Sequence, residues 1–475
     1  MAANKIHGPC AGGTMWHMVP DRIPADAAAA ERAVEQLRRD GVTMVEVSFV
    51  DNAGITRVKT VPLERLPFIA ANGVGASPCF EVFTSDDVML AGRYLGGPDG
   101  DLRLVPDLDR VTALAALPGW AWAPADKFTQ DGARFVACQR AFAARATKAL
   151  ADSGLRVLAA VEHEWILGRQ GTAGFEPAFD GPAYGQLRLE AVADYARDLV
   201  ADLRAQGVIV DQFHPEYALA QCELSVAAAD PVRAADDAVL VRHSVRARSL
   251  RHGWRASFAP SVDPGGAGSG AHLHLSLQDE KGNVMSGGAG AAGMRPAGEA
   301  FAAGVLRELP ALVAVGAGHP ASFLRLRPSR WAGVWQCWGV ETREAAMRVI
   351  TGVTGTGEWA ANVEVKCFDA TANPYLLMGC VLAAGAAGIA DELRLPEPVT
   401  GDPAALDDEA RAAAGISRLP TSAGSAAAEL ADSAVLAAAM GPELRDAVLT
   451  VRQAEAQRCA ELTPDELAEA TRWRW

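Results

Sequence analysis

Two short stretches of the chain alternate charged or imidazole side chains with apolar ones, the period of a β-strand. In 158–167 (LAAVEHEWIL) this alternation puts Glu162 and Glu164 on one face, with Val161, His163, Trp165 and Leu167 on the other. In 268–277 (GSGAHLHLSL) it puts His272, His274 and Ser276 on one face and packs Leu273, Leu275 and Leu277 behind them. The apolar faces call for a shared core, so the acidic and imidazole faces must meet something else.

Two further stretches add carboxylates. Glu216 and Glu223 lie seven apart in 214–223 (HPEYALAQCE), so on a continuous strand they would face opposite ways, and the chain must bend if both serve one site. In 363–369 (VEVKCFD) Val363, Val365 and Cys367 form an apolar face, and Glu364 and Lys366 share the other. Five glutamates with few imidazoles make a hard, oxygen-rich set that suits Mg²⁺ or Mn²⁺ better than Zn²⁺. Magnesium sites of this kind serve phosphoryl transfer, where charge around phosphate oxygens must be neutralised. Arg325, Arg327 and Arg330 in 322–331, with Arg343 and Arg348 in 338–349, supply cations suited to that task. No GxxxxGK[ST] loop and no strand-linked GxGxxG is present, so ATP would be held by metals and arginines.

Composition narrows the class. Against 58 acidic residues stand 44 basic ones, a net charge of −14, which argues against nucleic acid as a partner. Half the residues are hydrophobic, enough for one large or two unequal domains. The longest apolar run, 376–390, falls short of the roughly 20 residues a bilayer requires, so no membrane span is expected. The first residues carry no continuous apolar stretch, and a cytoplasmic location is expected. Eight cysteines without a CxxC pair argue against a disulfide framework or zinc knuckle.

Along the chain, 1–23 reads as a loose arm. Asp26 is placed to cap a helix through Arg39 that Gly41 ends. A hairpin follows, with Val45, Val47 and Phe49 alternating with Glu46 and Ser48 before the turn 51–54, so the chain opens as a small α+β unit. The Pro- and Gly-broken stretch 114–124 is the expected boundary, with a larger domain after it. There, helices are expected at 188–206, 300–315 and 373–393, loops at 281–299 and 400–425, and helices again from 426 to 472.

The six stretches VEHEW, EYALAQCE, GSGAHLHLSL, SFLRLRP, WGVETREAAMR and VEVKCFDATANPYL, in that order, resemble glutamine synthetases and their γ-glutamylamide ligase relatives. The resemblance runs from about residue 25 to the end. It implies an α+β fold with an N-terminal β-grasp domain (24–118) and a catalytic domain of antiparallel strands and helices (119–475). It also implies a dodecamer of two hexameric rings with active sites between neighbouring subunits. Carried over by residue, it assigns one metal to Glu164, Glu216 and Glu223 and a second to Glu162, His272 and Glu364. It implies that Arg325 grips glutamate, that Gly268 approaches it closely, and that His274 and Ser276 lie toward the nucleotide. Arg343 and Arg348 would stabilise the transferring phosphate, and Asp51, from a neighbour's hairpin, would help deprotonate the amine.

Four positions depart from the family pattern. Trp331 stands where glutamine synthetases carry a flap glutamate over the ammonium ion, Ala321 and Ala267 replace asparagines, and Lys366 replaces an arginine. An ammonium ion needs a carboxylate cage, whereas a large aromatic offers an apolar or cation–π wall to an alkylammonium. The expected activity is ATP-dependent ligation of glutamate to a small primary amine, ethanolamine or polyamine-like, through γ-glutamyl phosphate. The stretch 331–339 (WAGVWQCWG), similar to actinobacterial γ-glutamylethanolamide synthetases, suggests ethanolamine or another short amine. Glutamine synthetase proper, with Glu341 or Glu344 replacing the flap acid, and a non-catalytic family oligomer are the rival readings. No tyrosine follows Tyr375, so the adenylylation switch of the enterobacterial type has no acceptor.

Overall fold

The computed structural model describes Ile23, residues 27–171 and residues 174–475. The expected arm and the Asp26 cap lie outside these residues, Ile23 excepted. The helix Ala27–Arg39 buries Ala30, Val34 and Leu37, one stripe at helical spacing, and Gly41 ends it with φ 76°. Strands β1 (Met44–Val50), β2 (Thr56–Pro62), β3 (Val74–Ala76), β4 (Leu102–Pro106), β5 (Thr112–Ala113) and β6 (Trp120–Thr129) then form one sheet. Its order is β2-β1-β6-β4-β3, with β5 paired to β6.

The polar face of β1 is buried too. Glu46 meets His243 Nε2 at 3.1 Å and Ser48 accepts from Trp122 Nε1 at 2.8 Å, so that face packs on the helix Pro231–Arg251 rather than on water. The expected boundary at 118/119 falls just ahead of β6, which pairs in parallel with β1 and belongs to the first sheet. Pro118-Gly119 is a turn, not a linker. Gly119 has φ 90° and its carbonyl accepts from Thr43 N at 2.8 Å.

Beyond it, β7 (Arg156–Val161) and β8 (His163–Arg169) are separated by Glu162 alone, yet enter different sheets. With β9 (Val210–Pro215), β10 (Gln221–Val226) and β11 (Trp254–Ser257), β8 makes a four-stranded antiparallel sheet ordered β11-β8-β10-β9. The second, seven-stranded sheet collects β12 (Leu273–Asp279), β13 (Gly282–Asn283), β14 (Trp335–Val340), β15 (Ala345–Ile350), β16 (Asn362–Val365) and β17 (Ser417–Arg418), with β7 paired to β12. All its pairs are antiparallel except β14 with β15.

Helices Gln186–Ala205, Pro296–Gly316 and Pro374–Ala390 stand where they were expected. Asn373 caps the last, its side chain accepting from Tyr375 N and Leu376 N. This apolar helix is buried in the core, and no helix among the described residues is long and apolar enough to cross a membrane. Helices at Asp408–Ala413 and Ala423–Asp432 interrupt and follow the loop expected at 400–425.

Candidate active site

Glu162 occupies the seam between the two catalytic sheets. Its N–H donates to His272 O at 2.9 Å, at the point where the chain passes from β7, paired with β12, to β8, paired with β10. Glu164 follows on β8, and Gln221 Nε2 and Gly270 N both donate to its Oε2 at 2.9 Å. The chain does bend between Glu216 and Glu223: β9 and β10 form a hairpin that turns at Ala220, φ 55°. Glu364 on β16 lies opposite His274 on one side and Arg348 on the other. These residues line one cleft of about 740 Å³ with Arg325, Arg327, Arg330, Trp331, Arg343, Arg348, Lys366 and Gly268.

On β12, Leu273, Leu275 and Leu277 are buried and His272 and His274 face the cleft. Ser276 continues that face beyond the cleft lining. Gly268 is explained by contact: a Cβ there would meet Pro260 O at 2.3 Å and Arg325 Cβ at 2.8 Å.

Among the described residues three groups bring ligand atoms within 4.8 Å of one another: Glu162–His272–Glu364, His214–Glu216–Glu223 and Glu162–Glu164–Glu223. The first is the second-metal set implied by the resemblance. The other expected set is divided: Glu223 meets Glu216 with His214 and meets Glu164 with Glu162, and His214 Nε2 lies 3.0 Å from Glu216 Oε2 and 3.5 Å from Glu223 Oε1. His214 stands two residues before Glu216, so strand alternation carried the signal. Tyr184, whose hydroxyl donates to Glu216, and Gln221 were likewise not singled out by sequence.

The electrostatics separate the two ends of the cluster. Burial works against charge on Glu364, but Lys366 (Nζ 3.1 Å from Oε1), His272 and His274 outweigh it and hold the carboxyl at about 2. Burial, then the carboxylates of Glu162, Glu164 and Glu216, push Glu223 far above the ordinary carboxylate range. Four acids thus crowd a place with few cations, which is the charge pattern a divalent ion neutralises. The donor set, carboxylate oxygens with at most one imidazole per group, fits such an ion.

Arg325 is buried. Its Nη2 donates to Lys366 O at 2.9 Å and lies 3.3 Å from His272 Nε2, while Nη1 is buried without a partner among the described residues. Arg348 bridges Glu364 (3.2 Å) and Glu341 (2.7 Å). Trp331 is 56% exposed at the cleft, and the Arg343 guanidinium stands 5.4 Å from its ring centroid. That cation already uses the indole, so the wall it offers a substrate is apolar more than cation–π. Neither Glu341 nor Glu344 lines the cleft. Glu341 pairs with Arg348, and Glu344 accepts from Trp331 N at 2.8 Å.

Asp51 does not join the cluster. It is fully buried, its carboxylate accepting from Ala53 N (3.0 Å), Ile55 N (2.9 Å) and Arg57 Nε (2.7 Å). Its hairpin is seated on the catalytic domain: Asn373 Nδ2 donates to Val50 O at 2.9 Å, and a Cβ on Gly54 would meet Thr371 O at 2.1 Å. Asp51 thus braces the turn within its own chain, and the site it is expected to reach is a neighbouring subunit's.

A family described as "Glutamine synthetase, catalytic domain" matches residues 136–469, and "Glutamine synthetase N-terminal domain" matches 28–136. The chain belongs to the glutamine synthetase family. It is 51% identical over 460 residues to the gamma-glutamylpolyamine synthetase GlnA3 of Streptomyces coelicolor, covering 96% of this chain and 99% of that protein. It is 28% identical over 403 residues to the glutamine synthetase of Pyrococcus abyssi, covering 84% and 86%. A solved "novel glutamine synthase homolog" superposes with a TM-score of 0.82 at 32% identity, covering 91% of this chain and 99% of that one. A GmaS/ADP complex follows with a TM-score of 0.78 at 25% identity, covering 91% and 97%. Membership of this glutamine synthetase family makes the chain an ATP-driven ligase that joins carbon to nitrogen, and the family generally works with divalent metal ions.

Proposed function

We propose that this member of the family joins the γ-carboxylate of L-glutamate to a polyamine. The observation that carries the reading is the 51% identity, over nearly the whole of both chains, to a gamma-glutamylpolyamine synthetase. The cleft supports it. Trp331 stands where an ammonium-binding acid is expected, and the two nearby acids that could replace it are engaged elsewhere. A second cavity of about 660 Å³ shares Tyr217, Gly266 and Ala267 with the cleft. Its lining joins apolar Ile166, Phe175 and Val262 to three acids, Asp263, Asp465 and Glu469, against the one cation Arg472. That lining suits methylenes ending in a second ammonium group, which a polyamine has and ethanolamine lacks.

The residues divide the work as follows. Glu162, Glu164, Glu216, Glu223, His272 and Glu364 would hold Mg²⁺ or Mn²⁺, two or more per site, which when bound supplies charge neutralisation for the phosphates of ATP. The unpartnered Nη1 of Arg325 is free to take a glutamate carboxylate. Arg343 and Arg348 face the phosphate that passes to the γ-carboxylate, releasing ADP and leaving γ-glutamyl phosphate. The neutral amine then attacks the acyl carbon, phosphate leaves, and the nitrogen gives up a proton. His274 lies toward the nucleotide; Ser276, outside the cleft lining, has the weaker claim. We place the protein in the cytoplasm as a homododecamer.

Phosphate release measured with ATP, Mg²⁺ and glutamate should be fastest with polyamines and slower with ethanolamine and ammonia. Preference for ammonia over every organic amine would overturn the reading.

A further inference from the structure

The corner that carries Trp331 passes through left-handed backbone twice, at Ser329 (φ 54°) and at Trp331 (φ 55°). Neither residue is glycine, so neighbouring groups must hold the corner. Two do. Ser329 Oγ donates to Asp402 Oδ2 at 2.7 Å, and Trp331 N donates to Glu344 Oε1 at 2.8 Å.

Glu344 is 6% exposed, forms no ion pair among the described residues, and keeps Oε2 buried without a partner. A carboxylate buried on those terms is not explained by charge pairing. Its visible contribution is the acceptor it offers the loop. The preceding residue, Arg343, stacks on the ring of the same tryptophan at 5.4 Å. Consecutive residues of the connection between β14 and β15 therefore hold both the backbone and the indole of Trp331.

We propose that Glu344 is a specificity-determining positioning residue, which fixes through Trp331 the apolar wall that an alkyl amine must pass to reach the acyl phosphate. This rests on the polyamine reading and extends it to a residue that touches no substrate. It also accounts for why Glu344 does not restore the missing cage: it is turned away from the cleft to hold the residue that replaced the acid.

The test is steady-state kinetics of Glu344→Ala and Glu344→Gln with spermidine and with ammonia. Glu344→Ala should raise KM for spermidine about tenfold or more, the scale of a misplaced substrate wall. Its KM for glutamate and for ATP should stay within about twofold, because uniform binding there is untouched. Glu344→Gln should behave as wild type, since its amide oxygen can accept the same N–H. In a Trp331→Ala background, adding Glu344→Ala should raise KM for spermidine no further.

An unchanged KM for spermidine in Glu344→Ala, equal losses on all three substrates, or an effect that persists without Trp331 would each overturn the assignment. If Glu344→Ala does not fold, Glu344→Asp, too short to reach the amide, takes its place with the same expected kinetics. Failure of both to fold would make Glu344 a core residue and overturn it too. A wild-type protein inactive with spermidine would sink the polyamine reading and this inference with it. An active wild type with indifferent Glu344 variants would sink this inference alone.

Discussion

Two clusters of buried acids sit in this chain and are handled in opposite ways. Between the first sheet and the helices, Asp107, Asp126, Asp236 and Asp237 are met by Arg110, Arg140 and Arg233. Arg140 alone bonds Asp107 (2.6 Å), Asp126 (3.0 Å) and Asp236 (3.0 Å). Arg110 and Arg233 reach Asp237 at 2.6 and 2.9 Å, and Tyr375 donates to Asp236 at 2.8 Å. Asp236 is buried, yet Arg140 and then Arg110 outweigh that burial and hold it below its usual range, whereas at Asp126 and Asp237 burial outweighs the arginines and raises the carboxyl. At the seam of the catalytic sheets, Glu162, Glu164, Glu216 and Glu223 crowd together with no arginine paired to any of them among the described residues; burial and the other carboxylates drive Glu223 upward, while His272 and His274 hold Glu162 down. Acids that the chain neutralises itself are structure; acids it leaves facing one another await a cation from outside.

The largest effect should come from the seam. Glu162→Ala is expected to lower ATP-dependent phosphate release by at least ~10²–10³-fold, the scale of losing one electrostatic contact to the reacting charge. Its melting temperature without metal should fall only modestly, through the lost pair with His272. A large loss of stability with modest loss of activity would erase the contrast between the clusters.

At the balanced cluster the pattern reverses. Arg140→Ala strands three aspartates and should cost about 3–5 kcal/mol of stability in denaturant unfolding, the range for breaking a buried ion pair. A neutral result there would mean that the cluster is not what pins the two units together.

Smaller effects sharpen the picture. His319 is buried, 3.3 Å from Ser85 Oγ and against the Trp475 ring. Burial, then Arg452, depress its pKa from 6.5 to about 3. Below 6.5 the unfolded chain takes up a proton that the folded chain refuses, so stability falls as pH drops from 6.5 toward 3. His319→Gln should flatten the melting-temperature profile between pH 6.5 and 5.5, a change of about 1 kcal/mol. An unaltered slope would place that acid sensitivity elsewhere. Glu223→Gln should stabilise the metal-free protein at neutral pH, because the folded chain holds this carboxyl protonated while the unfolded chain lets it ionise, and glutamine removes that difference.

The comparison also shows what could be read from the chain. Alternation in 268–277 located the buried leucines and the two cleft histidines, because strand geometry is local. The same logic paired Glu162 with Glu164, but not the reason for it. One residue separates strands of different sheets there, and only long-range pairing reveals that. β6 was missed as part of the first sheet for the same cause: its parallel partner β1 lies some seventy residues back, and Pro118-Gly119 looks alike as turn or linker. Asp51 matched the family's hairpin acid in type and place, yet its orientation depends on Arg57 and on contacts with the catalytic domain. Trp331 was legible as a missing acid; that Arg343 and Glu344 hold it in place was not.

The central claim is that the uncompensated seam is a divalent metal site. Free Mn²⁺ measured by electron paramagnetic resonance, during titration of the metal-stripped protein, tests it most directly. The account predicts uptake of two or more ions per chain, reduced in Glu162→Ala and in Glu223→Gln and unchanged in a variant of an exposed acid such as Glu461→Gln. No uptake, or uptake that both seam variants leave untouched, would contradict it.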